Sequence, residues 1–511
     1  MIKSDVIVLG GGPGGYLAAQ RAAENGKTVT LIEERNLGGV CLNEGCIPSK
    51  TFLNSAKLYD VARGSQAYGV TTAEAQLNHQ KVVERKDNVV KTLVAGVGTK
   101  LKSCGVSVVS GKGLLKEKTP EGIIVSVENN SIDKGGPNHE DNVSTTKGKI
   151  NLGEDEPTAT SHHYLGEKVI IATGSTPILP NIPGLKEGVA SGYVITNREI
   201  FELTTIPSHL TIIGGGVIGL EMATYFALAG SKVTVIEMMD RIAPIFDKDI
   251  TNTLLKELKK KGITFLLSSQ VTAISDNKVF YKRTIKRPNE KLEKNLDNHP
   301  DNRADMDPDS TLEIQADVVL CSIGRVPVIE NIGLENLKIY TAKGAIVTDD
   351  HMNTNISGVY AVGDVNGKYM LAHTAYREAE VAVNHLLGKS DRMRYDAVPS
   401  IIYTYPEVAC VGMTEEQAME EGLEVKSITL SFKYSGRYLA EVDKGNGFCK
   451  IIVDTKRDCI VGVHMIGSYV SEMIYGVTHM IEAKTPISHI KETIFPHPTV
   501  CEVIREALFE L

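Results

Sequence analysis

The sequence predicts an α/β fold: two Rossmann-like, dinucleotide-binding βαβ units followed by a C-terminal α+β domain of the kind that serves dimerisation. Three observations predict it. One βαβ pattern occurs twice, further buried strand segments end in glycine turns, and the style of the chain changes after about Asp391. At 511 residues the chain exceeds what one hydrophobic core supports, so several domains are expected.

The internal echo is the strongest of the three. "SDVIVLGGGPGGYLAAQRAAENGKTVTLIEE" near the N-terminus resembles "SHLTIIGGGVIGLEMATYFALAGSKVTVIEM" from Ser208. Each reads as apolar strand, glycine turn, helix, Gly, and a second apolar strand ending in an acid. The glycines are Gly10, Gly12 and Gly15, then Gly214, Gly216 and Gly219, and the acids are Glu33 and Glu237 at equal offsets. A lone G-x-G-x-x-G is weak evidence, but here strand, helix and acid accompany it both times. The first glycine makes the turn, the second lets a pyrophosphate reach the backbone, and the third lets helix and strand pack. The pyrophosphate then sits at the positive end of the helix. The acid accepts from ribose hydroxyls and repels a 2′-phosphate, so two dinucleotides are expected, the second NAD rather than NADP.

"VIIATGSTPILP" from Val169, "ADVVLCSIGRVP" from Ala316 and "VYAVGDVNG" from Val359 each read as a buried strand ending in a glycine turn. Hydrophilic stretches at about 116–167 and about 282–310 lack apolar periodicity and read as surface insertions. Beyond Asp391, "YDAVPSIIYTYPEVACVGMT", "FCKIIVDTKRDCIVGVHMIG" and "EVIREALFEL" suggest an antiparallel sheet with packed helices.

Composition excludes some classes. The apolar fraction of 42% and charged fraction of 23% are those of an ordinary globular protein, and a net charge of −8 gives no reason to expect nucleic acid or anionic membrane as a partner. "MIKSDVIVLGGG" carries no h-region or cleavage site, and no apolar run is long enough to span a bilayer. This points to the cytosol, where a disulfide is more often catalytic than structural.

The stretch "GGVCLNEGCIPSK", Gly38 to Lys50, sets Cys41 and Cys46 five apart among glycines and a proline. Half a zinc site, two core thiols and a redox disulfide are the competing readings. A regular helix would hold these Cα atoms about 8–9 Å apart, whereas a disulfide needs no more than about 6.8 Å. A bonded pair therefore requires a break in the helix, and Gly45 and Pro48 stand where one would fall. Cys46 then lies near the start of a helix through "SKTFLNSAKLYD", a position that favours thiolate. No second Cys or His pair completes a zinc site, so no metal is expected. Cys321 and Cys459 lie in apolar strands and read as core residues.

These residues resemble the redox-disulfide segment of the flavin-dependent pyridine nucleotide-disulfide oxidoreductases, most of all the members that oxidise dihydrolipoyl groups. The similarity extends to both glycine fingerprints, "ATGS", "AVGDV" and "HPHPTVCE", and covers almost the whole chain outside the two insertions. The insertions are longer than the family usually carries, and Cys501 stands where Ser is usual.

The resemblance implies FAD and NAD as cofactors and a homodimer. It assigns 1–185 to an FAD-binding domain, 186–315 to an NAD-binding domain, 316–390 to a return to the FAD and central region, and 391–511 to the interface. It makes Cys41 the thiol that exchanges with substrate and Cys46 the thiol beside the flavin. Lys50 lies near the flavin and is ion-paired with Glu221. Gly10, Gly12, Gly15, Glu33, Thr173, Gly174 and Asp364 fall on the FAD side, and Gly214, Gly216, Gly219, Glu221, Glu237 and Gly324 on the NAD side. His497 becomes the acid–base, preceding a cis proline and reaching the other subunit's site. Glu502, five residues on, holds its tautomer. His464, in "IVGVHMIG", reads as structural.

The implied activity is oxidation of protein-bound dihydrolipoyl groups with NAD⁺, and the implied partner is the lipoyl-bearing protein of a 2-oxoacid dehydrogenase or glycine-cleavage complex. The rivals are a glutathione- or mercuric-reductase-like enzyme and a docking subunit. Only Arg241 is near enough to Glu237 to serve a 2′-phosphate, and the chain ends "EALFEL" without a cysteine pair.

Overall fold

A computed structural model describes residues 1–128, 162–275, 277–284 and 310–511. The chain forms two compact units. The first comprises Met1–Asn43, Lys91–Thr176 and Val326–Met393, and the second comprises Glu44–Val90, Pro177–Arg325 and Arg394–Leu511. Residues 44–90 thus belong with the second unit.

In the first unit, the strand Ile2–Leu9 lies between Val29–Glu33 and His162–Ile171, parallel to both. Ser107–Ser110 extends the sheet beside Val29–Glu33, and Val359–Ala361 pairs in parallel with His162–Ile171. The residues of "VTLI" are all buried, the continuous apolar run expected of a parallel strand covered on both faces. Helix Pro13–Glu24 covers one face and packs against helix Ala372–Leu386.

The expected insertions of about 116–167 and 282–310 lie, for their central stretches 129–161 and 285–309, outside the described residues. The flanks of the first are strands. Lys112–Thr119 and Gly122–Glu128 form an antiparallel hairpin, and the second of these pairs with His162–Ile171. The reason is alternation that the charges of "KEKTPEG" obscure: Leu115, Ile123, Val125 and Val127 are buried.

In the second unit, five parallel strands run in the order Thr264–Leu266, Lys232–Ile236, His209–Ile213, Val318–Cys321 and Val194–Ile195. Helix Val217–Leu228 is buried nearly all round because helix Cys46–Gly64 packs on it. Residues 400–467 supply an antiparallel sheet in the order Ser400–Ile402, Glu407–Gly412, Cys459–Gly467, Phe448–Asp454 and Val425–Ser431. Helices Val470–Glu482 and Glu502–Phe509 pack on it.

One core joins the sequence-distant parts of this unit: Phe52 and Ala56 meet Leu220, Tyr225 and Phe246, and also Ile402, Val408 and Ile466. Among the described residues, no helix is long and apolar enough to cross a membrane.

Candidate active site

The two glycine turns superpose in their chemistry. Gly10 and Gly214 have φ of 101° and 104°, a region open to glycine at little cost. A Cβ on Gly15 would stand 1.8 Å from the Gly10 carbonyl oxygen, and one on Gly219 would stand 2.2 Å from that of Gly214. The first and third glycines are therefore required by the fold itself.

The second glycines are not. Gly12 and Gly216 have φ of −73° and −80°, which any residue adopts. A Cβ on Gly216 would meet no described atom within 4 Å, and one on Gly12 would meet only the Cα of Gly39, at 3.8 Å. Each is the N-cap of a helix with no side chain capping it among the described residues. Open space before uncapped, positively polarised N–H groups fits an anionic pyrophosphate.

Both acids are held in the same way. Glu33 Oε2 accepts from the Gly11 N–H at 2.5 Å and Oε1 from the Arg35 N–H at 2.7 Å. Glu237 Oε2 accepts from Gly215 at 2.6 Å and Oε1 from Met239 at 2.8 Å. Burial pushes the Glu33 carboxyl up, opposed by these backbone donors. Gly11 and Gly215, which the sequence reading passed over, fasten the acid to the turn. The middle glycine in each run of three was the available signal.

In the first unit, Thr173 Oγ1 donates to the Val328 carbonyl at 2.7 Å, and Gly174 turns with φ 73°. Asp364 accepts from Ser175 Oγ at 2.5 Å. It stands in the short turn Gly363–Asn366, tied down by the fully buried Glu378, which accepts from the Gly363 N–H at 2.6 Å and from Asn366 Nδ2 at 2.8 Å. In the second unit, Gly324 has φ 130° and its carbonyl accepts from the Ile178 N–H at 3.0 Å.

Cys41 lies in the short helix Gly39–Glu44, and Cys46 opens the helix Cys46–Gly64. Between them Gly45, at φ −147° and ψ −102°, breaks the helical path. Cys46 occupies the first turn of a long helix, where the dipole favours thiolate. Cys321, Cys410, Cys449 and Cys459 are buried, and burial pushes each thiol up, Cys321 to about 11. Those four are core thiols.

One turn into that helix, Lys50 Nζ donates to Glu221 Oε1 and Oε2 at 3.1 and 3.0 Å, and to Ser49 Oγ at 3.2 Å. Glu221, grouped by sequence with the NAD side, is committed to this pair. Its second anchor is the backbone N–H of Tyr403, at 3.0 Å, and the Tyr403 ring lies beneath Lys50 Nζ, 4.2 Å from ring centre to nitrogen. Tyr403 is absent from the sequence reading.

His497 pairs with Glu502. Its Nδ1–H donates to Glu502 Oε1 at 2.6 Å, while Glu502 Oε2 accepts from the Thr499 N–H at 2.9 Å. The proton at Nδ1 leaves Nε2 as the basic nitrogen. These two hydrogen bonds, the histidine's first, hold the Glu502 carboxyl below its usual range. His497–Pro498 is cis, and the His497 side chain is 79% exposed in the single chain. His464 is buried, with Nε2 2.9 Å from the Met413 carbonyl, as befits a structural residue. Cys501, half-buried, precedes Glu502 at the helix start. Among the described residues no cluster could hold a metal ion.

Comparison with known proteins shows the family. The family described as pyridine nucleotide-disulphide oxidoreductase matches residues 4–379, and that family's dimerisation domain matches residues 398–508. A curated protein named dihydrolipoyl dehydrogenase from Bacillus subtilis is 38% identical over 506 residues, 98% of this chain and 97% of its own. One named mitochondrial dihydrolipoyl dehydrogenase, from Pisum sativum, is 34% identical over 508 residues, 99% of this chain and 91% of its own. Among solved structures, the flavoprotein disulfide reductase RclA from Escherichia coli, as a Cu(II) complex, gives a TM-score of 0.79 at 26% identity over 100% of both chains. LpdA from Mycobacterium tuberculosis, at 23% identity and a TM-score of 0.81 over 100% of this chain and 99% of its own, shares the fold. The dimerisation domain supports a homodimer.

Proposed function

Since this chain belongs to the pyridine nucleotide-disulphide oxidoreductase family, whose dihydrolipoyl dehydrogenases use FAD and NAD(H), we propose that it oxidises protein-bound dihydrolipoyl groups to lipoyl groups with NAD⁺. In this reading 1–185 and 316–390 serve FAD, 186–315 serves NAD, and 391–511 forms the interface between two copies. The partner is a lipoyl-bearing protein of a 2-oxoacid dehydrogenase or glycine-cleavage complex, met in the cytoplasm.

The first glycine turn, Glu33, Thr173, Gly174 and Asp364 would hold FAD, and the second turn with Glu237 and Gly324 would hold NAD. Bound there, FAD would supply a two-electron path from the reduced cysteine pair to NAD⁺. His497 Nε2 takes the proton of one substrate thiol. The resulting thiolate attacks Cys41 Sγ of the Cys41–Cys46 disulfide, forming a mixed disulfide, and Cys46 leaves as thiolate. The second substrate thiol attacks the mixed disulfide, closes the lipoyl ring and releases Cys41. One dithiol and NAD⁺ are consumed, and one disulfide, NADH and a proton are formed. Glu502 steadies the imidazole through Nδ1, and the positive end of helix Cys46–Gly64 stabilises the Cys46 thiolate.

The observation that carries this reading is the break at Gly45, which leaves Cys41 within a short helix and sets Cys46 at the start of a long one. The test is an anaerobic titration with dihydrolipoamide and then NAD⁺. Long-wavelength absorbance followed by NADH is expected. Wild-type turnover by the Cys46→Ser variant would refute the assignment.

A further inference from the structure

The Lys50–Glu221 pair is held by a residue from a distant part of the sequence. Tyr403 follows the strand Ser400–Ile402, which pairs with Glu407–Gly412 and contributes Ile402 to the core shared with Phe52 and Leu220. It touches both partners at once, through its backbone N–H to Glu221 and its ring face to Lys50.

Resting on the functional reading above, we propose that Tyr403 is a positioning residue for Lys50, its ring face holding the ammonium where the flavin is to meet it. Three features support this. The Glu221 side chain is only 4% exposed, so its carboxylate is fixed, whereas Lys50 is 34% exposed and keeps an open side. A flexible four-carbon stem tethered only to the Glu221 carboxylate and the Ser49 hydroxyl can swing about them. A ring beneath the nitrogen removes that freedom, because the ammonium is drawn to the centre of the π face.

The ring also suits the task chemically. Burial, then the Glu221 charge, pushes the Tyr403 phenol up to about 12, so the ring stays neutral at working pH. The attraction belongs to the π face and not to the hydroxyl, so phenylalanine serves equally well. Leucine fills the space without the quadrupole, and pentafluorophenylalanine keeps the shape while reversing the quadrupole.

The experiment uses the FAD-loaded protein with wild-type Tyr403, with Tyr403→Phe, with Tyr403→Leu, and with pentafluorophenylalanine in place of Tyr403. The flavin reduction potential is measured against a reference dye, with neither dihydrolipoamide nor NAD present. Dihydrolipoamide kinetics are measured separately.

Tyr403→Phe is expected to match wild type in both. Tyr403→Leu and the fluorinated ring are expected to make flavin reduction less favourable, by about threefold or more in the dye equilibrium, and to lower kcat by a similar factor at nearly constant KM. An unchanged potential in the fluorinated protein overturns the proposal, as does a Tyr403→Phe protein as impaired as Tyr403→Leu. The fluorinated ring keeps the test decisive if leucine impairs folding. Failure of wild type to oxidise dihydrolipoamide would instead strike the functional reading, and the dye measurement would still report on Tyr403.

Discussion

Lys50 and Glu221 are 171 residues apart and share an ion pair of 3.0 Å whose two members are unequally hidden, the carboxylate at 4% exposure and the lysine at 34%. The inequality predicts an asymmetric response to mutation. Lys50→Met leaves a buried carboxylate whose remaining donor among the described residues is the Tyr403 N–H, and is expected to cost about 2–4 kcal/mol in urea unfolding at saturating FAD. Glu221→Gln leaves an ammonium that reaches water, and is expected to cost about 1 kcal/mol. Equal losses would contradict this account of which charge the fold hides.

The glycine turns separate folding from binding. Gly216→Ala meets open space, so unfolding free energy should fall by about 1 kcal/mol or less, the cost of a poorer N-cap. Affinity for NAD⁺ by calorimetry should weaken about tenfold or more, since a methyl group now occupies the approach to the pyrophosphate. Gly219→Ala brings a methyl within 2.2 Å of the Gly214 carbonyl oxygen, and should reduce soluble yield or thermal stability before any ligand is added.

His497 lies on the surface of the single chain, and its removal should act on chemistry and leave stability unchanged. His497→Gln is expected to lower kcat/KM for dihydrolipoamide by about 100-fold or more with little change in melting temperature. Glu502→Gln should cost less, about tenfold, because the carboxylate acts only by steadying the ring.

Two buried histidines make the fold sensitive to acid. His79 donates through Nε2 to the Leu203 carbonyl at 2.8 Å, and its Nδ1 lies 2.7 Å from the Tyr225 hydroxyl. Burial holds both His79 and His464 below the ordinary 6.5. A depressed folded value means the unfolded chain binds the proton more readily. The contribution to stability is complete above about pH 6.5 and is lost as pH falls from there towards the folded values. Urea midpoints should therefore drop between pH 7.5 and pH 5.5, and His464→Gln should flatten that drop. A midpoint that rises on acidification would reverse the sign and refute the burial of neutral rings.

What the sequence made legible was what is local. Gly10 to Glu33 and Gly214 to Glu237 each span one βαβ unit, so strand, turn, helix and acid can be read from one continuous string. The hydrogen bond from His497 to Glu502 spans five residues and is equally readable. Lys50 and Glu221 could be joined only through family resemblance, because nothing in either helix names the other.

Tyr403 escaped because the string "SIIYTYPEV" reads as an apolar strand, and its most informative atom is a backbone nitrogen, which carries no residue code. The packing of 44–90 with the second unit escaped for a similar reason. The helix pattern of Cys46–Gly64 shows that one face is buried, but not that Leu220 and Tyr225 cover it. The hairpin Lys112–Glu128 was hidden by the consecutive exposed charges Lys116, Glu117 and Lys118, where the pairing shifts register.

The core that gathers Phe52, Leu220, Phe246, Ile402 and Ile466 has a consequence for anyone wishing to dissect this protein. A fragment of 186–315 expressed alone would lack Phe52, Ile402 and Ile466 from this core and would strand the carboxylate of Glu221 without its lysine. Shuffling of such modules between related enzymes can thus succeed only when the cysteine-bearing helix and the loop after Ile402 travel with them.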